Sequence, residues 1–260
     1  MINKKPQIIS LINQKGGVGK TTTSINLATA LTMFEKKILL IDLDAQGNLS
    51  TGLGIPNEER KNNIYNLHVY KKNINSFIVK TMVPNMDIIP ADQNLSGFDS
   101  EVHLIDKKQY LLKNYLEKIE KDYDFIFIDC PPSLNLLTIN ALTASNNVLI
   151  PLQCEFFALE GIASILNIID SVKTNLNADL KIAGIILTMY DRRNRLCKEI
   201  VADVRKNFAS LVYEQIIPRN IKLSESTSHG KPIMLYDSKC SGSIAYMLLA
   251  QEILNKEEVL

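Results

Sequence analysis

The chain has 260 residues, 46% hydrophobic and 22% charged, which suits one globular α/β domain with a sizeable core. Its net charge of +1 excludes a global nucleic-acid or membrane signature, so any DNA contact needs a local patch. Cys130, Cys154, Cys197 and Cys240 are widely spaced, which reads as reduced thiols of a cytosolic protein and not as a disulfide frame or zinc site; no apolar run is long enough to span a bilayer and no signal peptide is evident.

Strand and helix patterns alternate along the chain. A first strand over about Gln7–Asn13 runs into Gln14-Lys15-Gly16-Gly17-Val18-Gly19-Lys20-Thr21-Thr22, and a helix follows to about Phe34. Strand, glycine loop, helix is the context of a phosphate site: the glycines let backbone N–H groups turn inward, and the helix N-terminus adds positive charge. Lys20 suits the β- and γ-phosphates of ATP, and the Thr21 hydroxyl suits Mg²⁺. The usual phosphate-loop pattern needs glycine where this chain has Gln14, and it has a surplus lysine, Lys15.

A second strand, Lys37–Asp42, leads to Asp42-Leu43-Asp44-Ala45-Gln46-Gly47-Asn48. Phosphoryl transfer to water needs a group that orients the nucleophile, and Asp44 is the candidate; turn chemistry is the bland alternative for both aspartates. Ile64–Ile78 reads as short helices, Met86–Pro90 as a strand and Asp106–Lys121 as a helix, and the irregular Lys71–Ser100 stretch reads as an excursion from the sheet. The buried strand Asp124–Asp129 ends in a carboxylate that suits water-mediated Mg²⁺ binding or, more simply, a turn cap. Strands over Asn147–Leu152, Lys181–Thr188 and Leu211–Ile217 follow, with helices over Leu159–Val172, Leu196–Phe208 and Ser241–Leu254. This predicts a doubly wound, mainly parallel sheet in a single domain over 1–260, with the candidate residues at strand C-terminal ends.

The loop resembles the deviant Walker A pattern, K-G-G-x-G-K-[ST], of the ParA and MinD family of ATPases. The 42–48 segment resembles the D-x-D-P-Q-G-N motif of ParA proteins, with Ala45 for proline. Gln153-Cys154-Glu155-Phe156-Phe157-Ala158-Leu159-Glu160-Gly161, Leu187–Asp191, Ile217–Glu225 and Ser228–Pro232 are similar to stretches of Soj-type ParA proteins, with Ser226-Thr227 where Ala-Pro is usual. The resemblance implies an ATP-bound homodimer in which Lys15 reaches the partner's nucleotide, Asp44 is catalytic, and Pro218 and Asn220 lie against the base. It also implies non-specific double-stranded DNA binding through Arg193 and Lys222, stimulation by a ParB-like protein, and a cytoplasmic, nucleoid-associated location. Arg192, Arg193, Arg195, Lys198, Arg205 and Lys206 concentrate charge, which a solvated helix face would also explain.

Other readings remain. A MinD-type membrane ATPase needs a basic amphipathic C-terminal helix, whereas the 250–260 tail is acidic at its end. An iron–sulfur member needs differently placed cysteines. An orphan relative that positions a protein cluster is not distinguished by sequence. His68, His103 and His229 are too scattered for a metal site, and the short segment before the first strand leaves no room for an N-terminal helix-turn-helix.

Overall fold

A computed structural model describes residues 5–70 and 72–257, without the side chains of His68, Tyr70 and Glu257. The acidic end of the tail and the first four residues, on which the membrane and helix-turn-helix readings partly rest, lie outside the described residues.

Among the described residues seven strands form one sheet: β1 (Gln7–Leu11), β2 (Ile38–Asp42), β3 (Val79–Lys80), β4 (Met86–Ile89), β5 (Phe125–Asp129), β6 (Asn147–Gln153) and β7 (Lys181–Thr188). Their order is β3-β4-β2-β5-β1-β6-β7, and every pairing is parallel except β3 with β4. The central strands are apolar throughout because both faces are covered. Ile38, Leu40, Phe125 and Phe127 enter one core; Leu39, Ile41, Ile126 and Ile128 enter the other. That alternation is the period of two expected of strands.

On the first face lie α1 (Lys20–Thr32), α2 (Asn48–Gly52), α9 (Ile221–Ser228), α10 (Ile233–Tyr236) and α11 (Ser241–Glu257). On the other lie α3 (Ile64–Tyr70), α4 (Phe98–Glu101), α5 (Leu111–Leu116), α6 (Leu136–Ala144), α7 (Ala158–Asn175) and α8 (Arg195–Phe208). At the ends of α2 and α9, Gly54 and Gly230 meet backbone to backbone. A Cβ on Gly54 would sit 2.9 Å from the Gly230 carbonyl oxygen, and one on Gly230 would sit 2.8 Å from the Gly54 Cα.

Three expectations are corrected. The 71–100 stretch is no excursion: it supplies β3 and β4, and β4 pairs with β2. The 106–121 helix is reduced to α5, because Asn140 of buried α6 accepts from the Leu112 N–H and donates to the Lys108 carbonyl, which holds the segment start as a tight turn. Residues 211–217 form no strand. Isolated bridges join Val212 to Ile185 and Pro218 to Tyr190, while Glu252 of α11 takes the N–H groups of Glu214 and Gln215 and bows the segment away from β7.

Candidate nucleotide site

The parallel strands bring their C-terminal ends to one edge, where the phosphate loop lies. Gly17 and Gly19 take φ of 76° and 93°, the left-handed region that glycine enters without steric cost. A Cβ at Gly16 or Gly17 would meet nothing within 4 Å, so the loop presents open backbone. Asn13 anchors its start: its side chain donates to the Pro151 carbonyl at 2.8 Å and accepts from the Lys15 N–H at 3.0 Å. Thr188 Oγ1 donates to the Val18 carbonyl at 2.8 Å and ties the loop to β7.

The two lysines of the loop point in different directions. Lys20 is buried, and its ammonium donates to the carbonyls of Asn13 at 2.9 Å and Lys15 at 3.2 Å. Burial lowers its pKa, and the Asp129 carboxylate opposes that shift. Lys15 has a half-exposed side chain and forms an ion pair with Glu155, just after β6. Phe156, Phe157 and Leu134 are exposed on the same strand-end edge.

Thr21 Oγ1 donates to Asp129 Oδ2 at 2.7 Å, and Ser24 Oγ donates to Asp129 Oδ1 at 3.0 Å. Asp129 and Asp42 are register partners on β5 and β2, and both are buried. Burial pushes Asp129 up to about 7, with the Asp42 charge adding to the shift and Thr21 and Ser24 opposing it. Asp42 is raised to about 6, also by burial, against hydrogen bonds from Ser50. Ser50 donates from N–H and Oγ to Asp42 Oδ2, at 3.0 and 2.7 Å. Asp42 Oδ1 accepts the Asp44 N–H at 3.1 Å, and Asp44 Oδ1 accepts the Gln46 N–H at 3.0 Å. Asp44 thus sits on a short loop held from below by a buried carboxylate.

A cavity of about 450 Å³ opens beside the loop, lined in part by Gly19, Thr22, Arg193, Pro218, Asn220 and Tyr246. Met189, also on its wall, takes a φ of 52°, unusual for a side chain of that size. The structure therefore brings Pro218 and Asn220 to the loop. Asn220 also caps α9, accepting the Lys222 N–H at 2.8 Å and donating to Ser241 Oγ at 2.9 Å. A glycine cradle, a buried lysine and a hydroxyl paired with a carboxylate fit a nucleoside triphosphate with a divalent cation.

A family model described as an AAA domain matches residues 6–182. The chain is 49% identical over 253 residues to the chromosome partitioning protein ParA of Caulobacter vibrioides, covering 96% of this chain and 95% of that protein. The chain belongs to the ParA/Soj family. It is 48% identical over 248 residues to the chromosome-partitioning ATPase Soj of Treponema pallidum, covering 95% of this chain and 96% of that one. Among solved structures, it resembles cobyrinic acid a,c-diamide synthase from Mycobacterium smegmatis with bound ATP analog and magnesium. There the TM-score is 0.86 at 33% identity, with 98% of this chain and 96% of that one covered.

The basic surface of this ParA/Soj chain is less free than its sequence suggests. Arg193 grips Asp191 bidentately, Nε to Oδ1 at 3.1 Å and a terminal nitrogen to Oδ2 at 3.0 Å. That grip holds the Asp191 carboxyl down at about 2. Arg195 pairs with Glu199 and Lys222 with Glu225, each at 2.9 Å. On the strand-end side of the molecule Arg193 keeps an exposed side chain and Lys222 a half-exposed one. No helix among the described residues is long and apolar enough to cross a membrane.

Asn13, Ser24, Ser50 and Glu155 belong to the site and escaped the sequence reading. Ser24 had a usable signal, since it lies one turn after Thr21 on the same helix face. Glu155 lies in the 153–161 stretch that carries the resemblance, but its pairing with Lys15 had no local signal, because the two are 140 positions apart.

Proposed function

We propose that this chain is a partition ATPase, a single ATPase domain over 1–260 that hydrolyses ATP between two copies of itself and binds DNA non-specifically in that form. The observation that carries the two-chain reading is the divergence of the loop lysines. The ammonium of Lys20 is bonded to carbonyls inside the loop, whereas that of Lys15 turns out to Glu155, the residue before the exposed Phe156 and Phe157. On this reading Lys15 leaves Glu155 and reaches a second chain's phosphates, and the apolar rim gives the second chain a surface to cover.

The loop N–H groups and Lys20 bind the phosphates of ATP. The Thr21 hydroxyl, with Asp129 through water, would hold Mg²⁺, which would supply neutralisation of phosphate charge. The cavity beside Pro218 and Asn220 takes the base. Asp44 accepts a hydrogen bond from the attacking water and aims it at the γ-phosphorus; the bond from that phosphorus to the bridging oxygen breaks, leaving ADP and phosphate. Arg193 and Lys222 contact DNA phosphates, and a ParB-like protein accelerates hydrolysis on the nucleoid.

The test is ATP hydrolysis by the full chain, with and without non-specific DNA and the N-terminal peptide of a ParB-type protein. Hydrolysis raised jointly by both supports partition. ATP hydrolysis indifferent to DNA, or DNA binding that ignores ATP, overturns it.

A further inference from the structure

Arg60 lies in the connection after α2, outside every motif of the chain, yet its guanidinium packs against Gly47 and Thr51, just after Asp44. Its Nε donates to the Ile55 carbonyl at 3.0 Å, and one terminal nitrogen donates to the same carbonyl at 2.8 Å and to Thr51 Oγ1 at 3.0 Å. Its other terminal nitrogen packs over Gly47, 3.2 Å from where a Cβ there would stand, and the Ala91 carbonyl oxygen lies 3.1 Å from the same point. Gly47 takes φ 60° and is thereby confined between the arginine and the end of β4.

These contacts converge on Asp44. Thr51 Oγ1, which accepts from Arg60, donates to the Gly47 carbonyl at 2.9 Å. The Gly47 N–H donates to the Asp44 carbonyl at 2.8 Å. From the other side Ser50, on the same short helix, holds Asp42, which accepts the Asp44 N–H. Helix α2 has only five residues and no side-chain cap at its N-terminus; Ser50 anchors its buried side to Asp42, which leaves its exposed side at Thr51 to be held from outside the helix. The planar fork of an arginine, bonding a carbonyl and a hydroxyl together, supplies that restraint in a way a lysine cannot reproduce.

We infer that Arg60 is a positioning residue for hydrolysis, setting the place of Asp44 through Thr51 and Gly47 without touching nucleotide. The inference rests on the reading of Asp44 as the water-orienting group. Small displacements of such a group cost catalysis more than binding.

The test is steady-state ATP hydrolysis and calorimetric ATP affinity for the full chain and for Arg60→Ala, Arg60→Lys, Thr51→Val and Asp44→Ala. Arg60→Ala is expected to lower kcat about tenfold with KM and Kd for ATP within about twofold of the parent. Arg60→Lys should recover part of that loss. Thr51→Val should lower kcat in the same direction, and the Arg60→Ala/Thr51→Val double variant should lose little more than Arg60→Ala, because both act on one path. An Arg60→Ala protein that turns over at the parental rate while Asp44→Ala is inactive overturns the positioning role alone. So does an equal loss of kcat and ATP affinity in both Arg60→Ala and Thr51→Val, which would mark general disruption. An Asp44→Ala protein with normal turnover overturns the Asp44 reading and this inference with it.

Discussion

Asp42 and Asp129 stand side by side at the same register position of adjacent parallel strands, both buried, at the C-terminal edge of the sheet. Two carboxylates so placed resist being charged together. Both are raised, to about 6 and about 7, with burial the first cause. A carboxyl raised by folding stabilises the folded chain fully below its unfolded pKa, and that contribution is lost as pH rises through the folded value. The nucleotide-free protein should therefore melt at a lower temperature at pH 8 than at pH 5.5, by roughly 5 °C. Asp42→Asn should flatten this slope, and calorimetric scans across the range check it. An unchanged slope in that variant would remove Asp42 from the linkage.

Lys20→Ala removes a cation that is buried and hydrogen-bonded inside the loop. The predicted loss of ATP affinity is at least ~30-fold, the scale of a charge-assisted hydrogen bond of about 2 kcal/mol or more. Isothermal titration with ATP and Mg²⁺ reads it directly, and unchanged affinity would discard the site.

What was legible in the sequence was local. The glycine loop, the strands on either side of it and the carboxylates at strand ends each depend on neighbours a few residues away, so their pattern announced them. What was hidden was decided at a distance. Glu252 captures two N–H groups of the 211–217 segment and turns an apolar run into a loop. Asn140 does the same for the turn before α5. The pairing of Arg193 with Asp191 lay only two residues apart and was within reach, because aspartate often bonds the backbone two positions on. Arg193 and Arg195 of that run each pair with an acidic neighbour.

Lys15→Ala should bind ATP about as tightly as the parent and remain monomeric with it, because the half-exposed ammonium lies outside the cradle formed by its own chain. Size-exclusion chromatography with a non-hydrolysable ATP analogue checks this. A nucleotide-dependent dimer of that variant would end the cross-subunit reading.

Asp44→Ala should accumulate an ATP-bound dimer while losing turnover by on the order of 100-fold or more, since binding groups are intact and only the water loses its guide. Retained nucleotide after gel filtration, compared with released phosphate, separates binding from hydrolysis. Rapid phosphate release would take the role from Asp44.

Asp191→Asn should strengthen ATP-dependent DNA binding on the order of threefold at low salt, because it frees Arg193 from its bidentate partner. The gain should shrink as salt rises and vanish in an Arg193→Ala background, where DNA binding is itself weakened. Filter binding at several salt concentrations measures all four proteins. A gain that survives loss of Arg193 would show that Asp191 acts on DNA by bulk charge alone.

The glycine contact between α2 and α9 has a mechanical consequence. Gly54 and Gly230 leave no side-chain cushion between two backbones. One of these segments follows the Asp44 loop, and the other follows the helix that Asn220 caps and that carries Lys222. Incompressible backbone transmits displacement without slack, so the end of α2 and the end of α9 are geared together like meshed teeth. A methyl group at either glycine would jam that gear before it changed any charge.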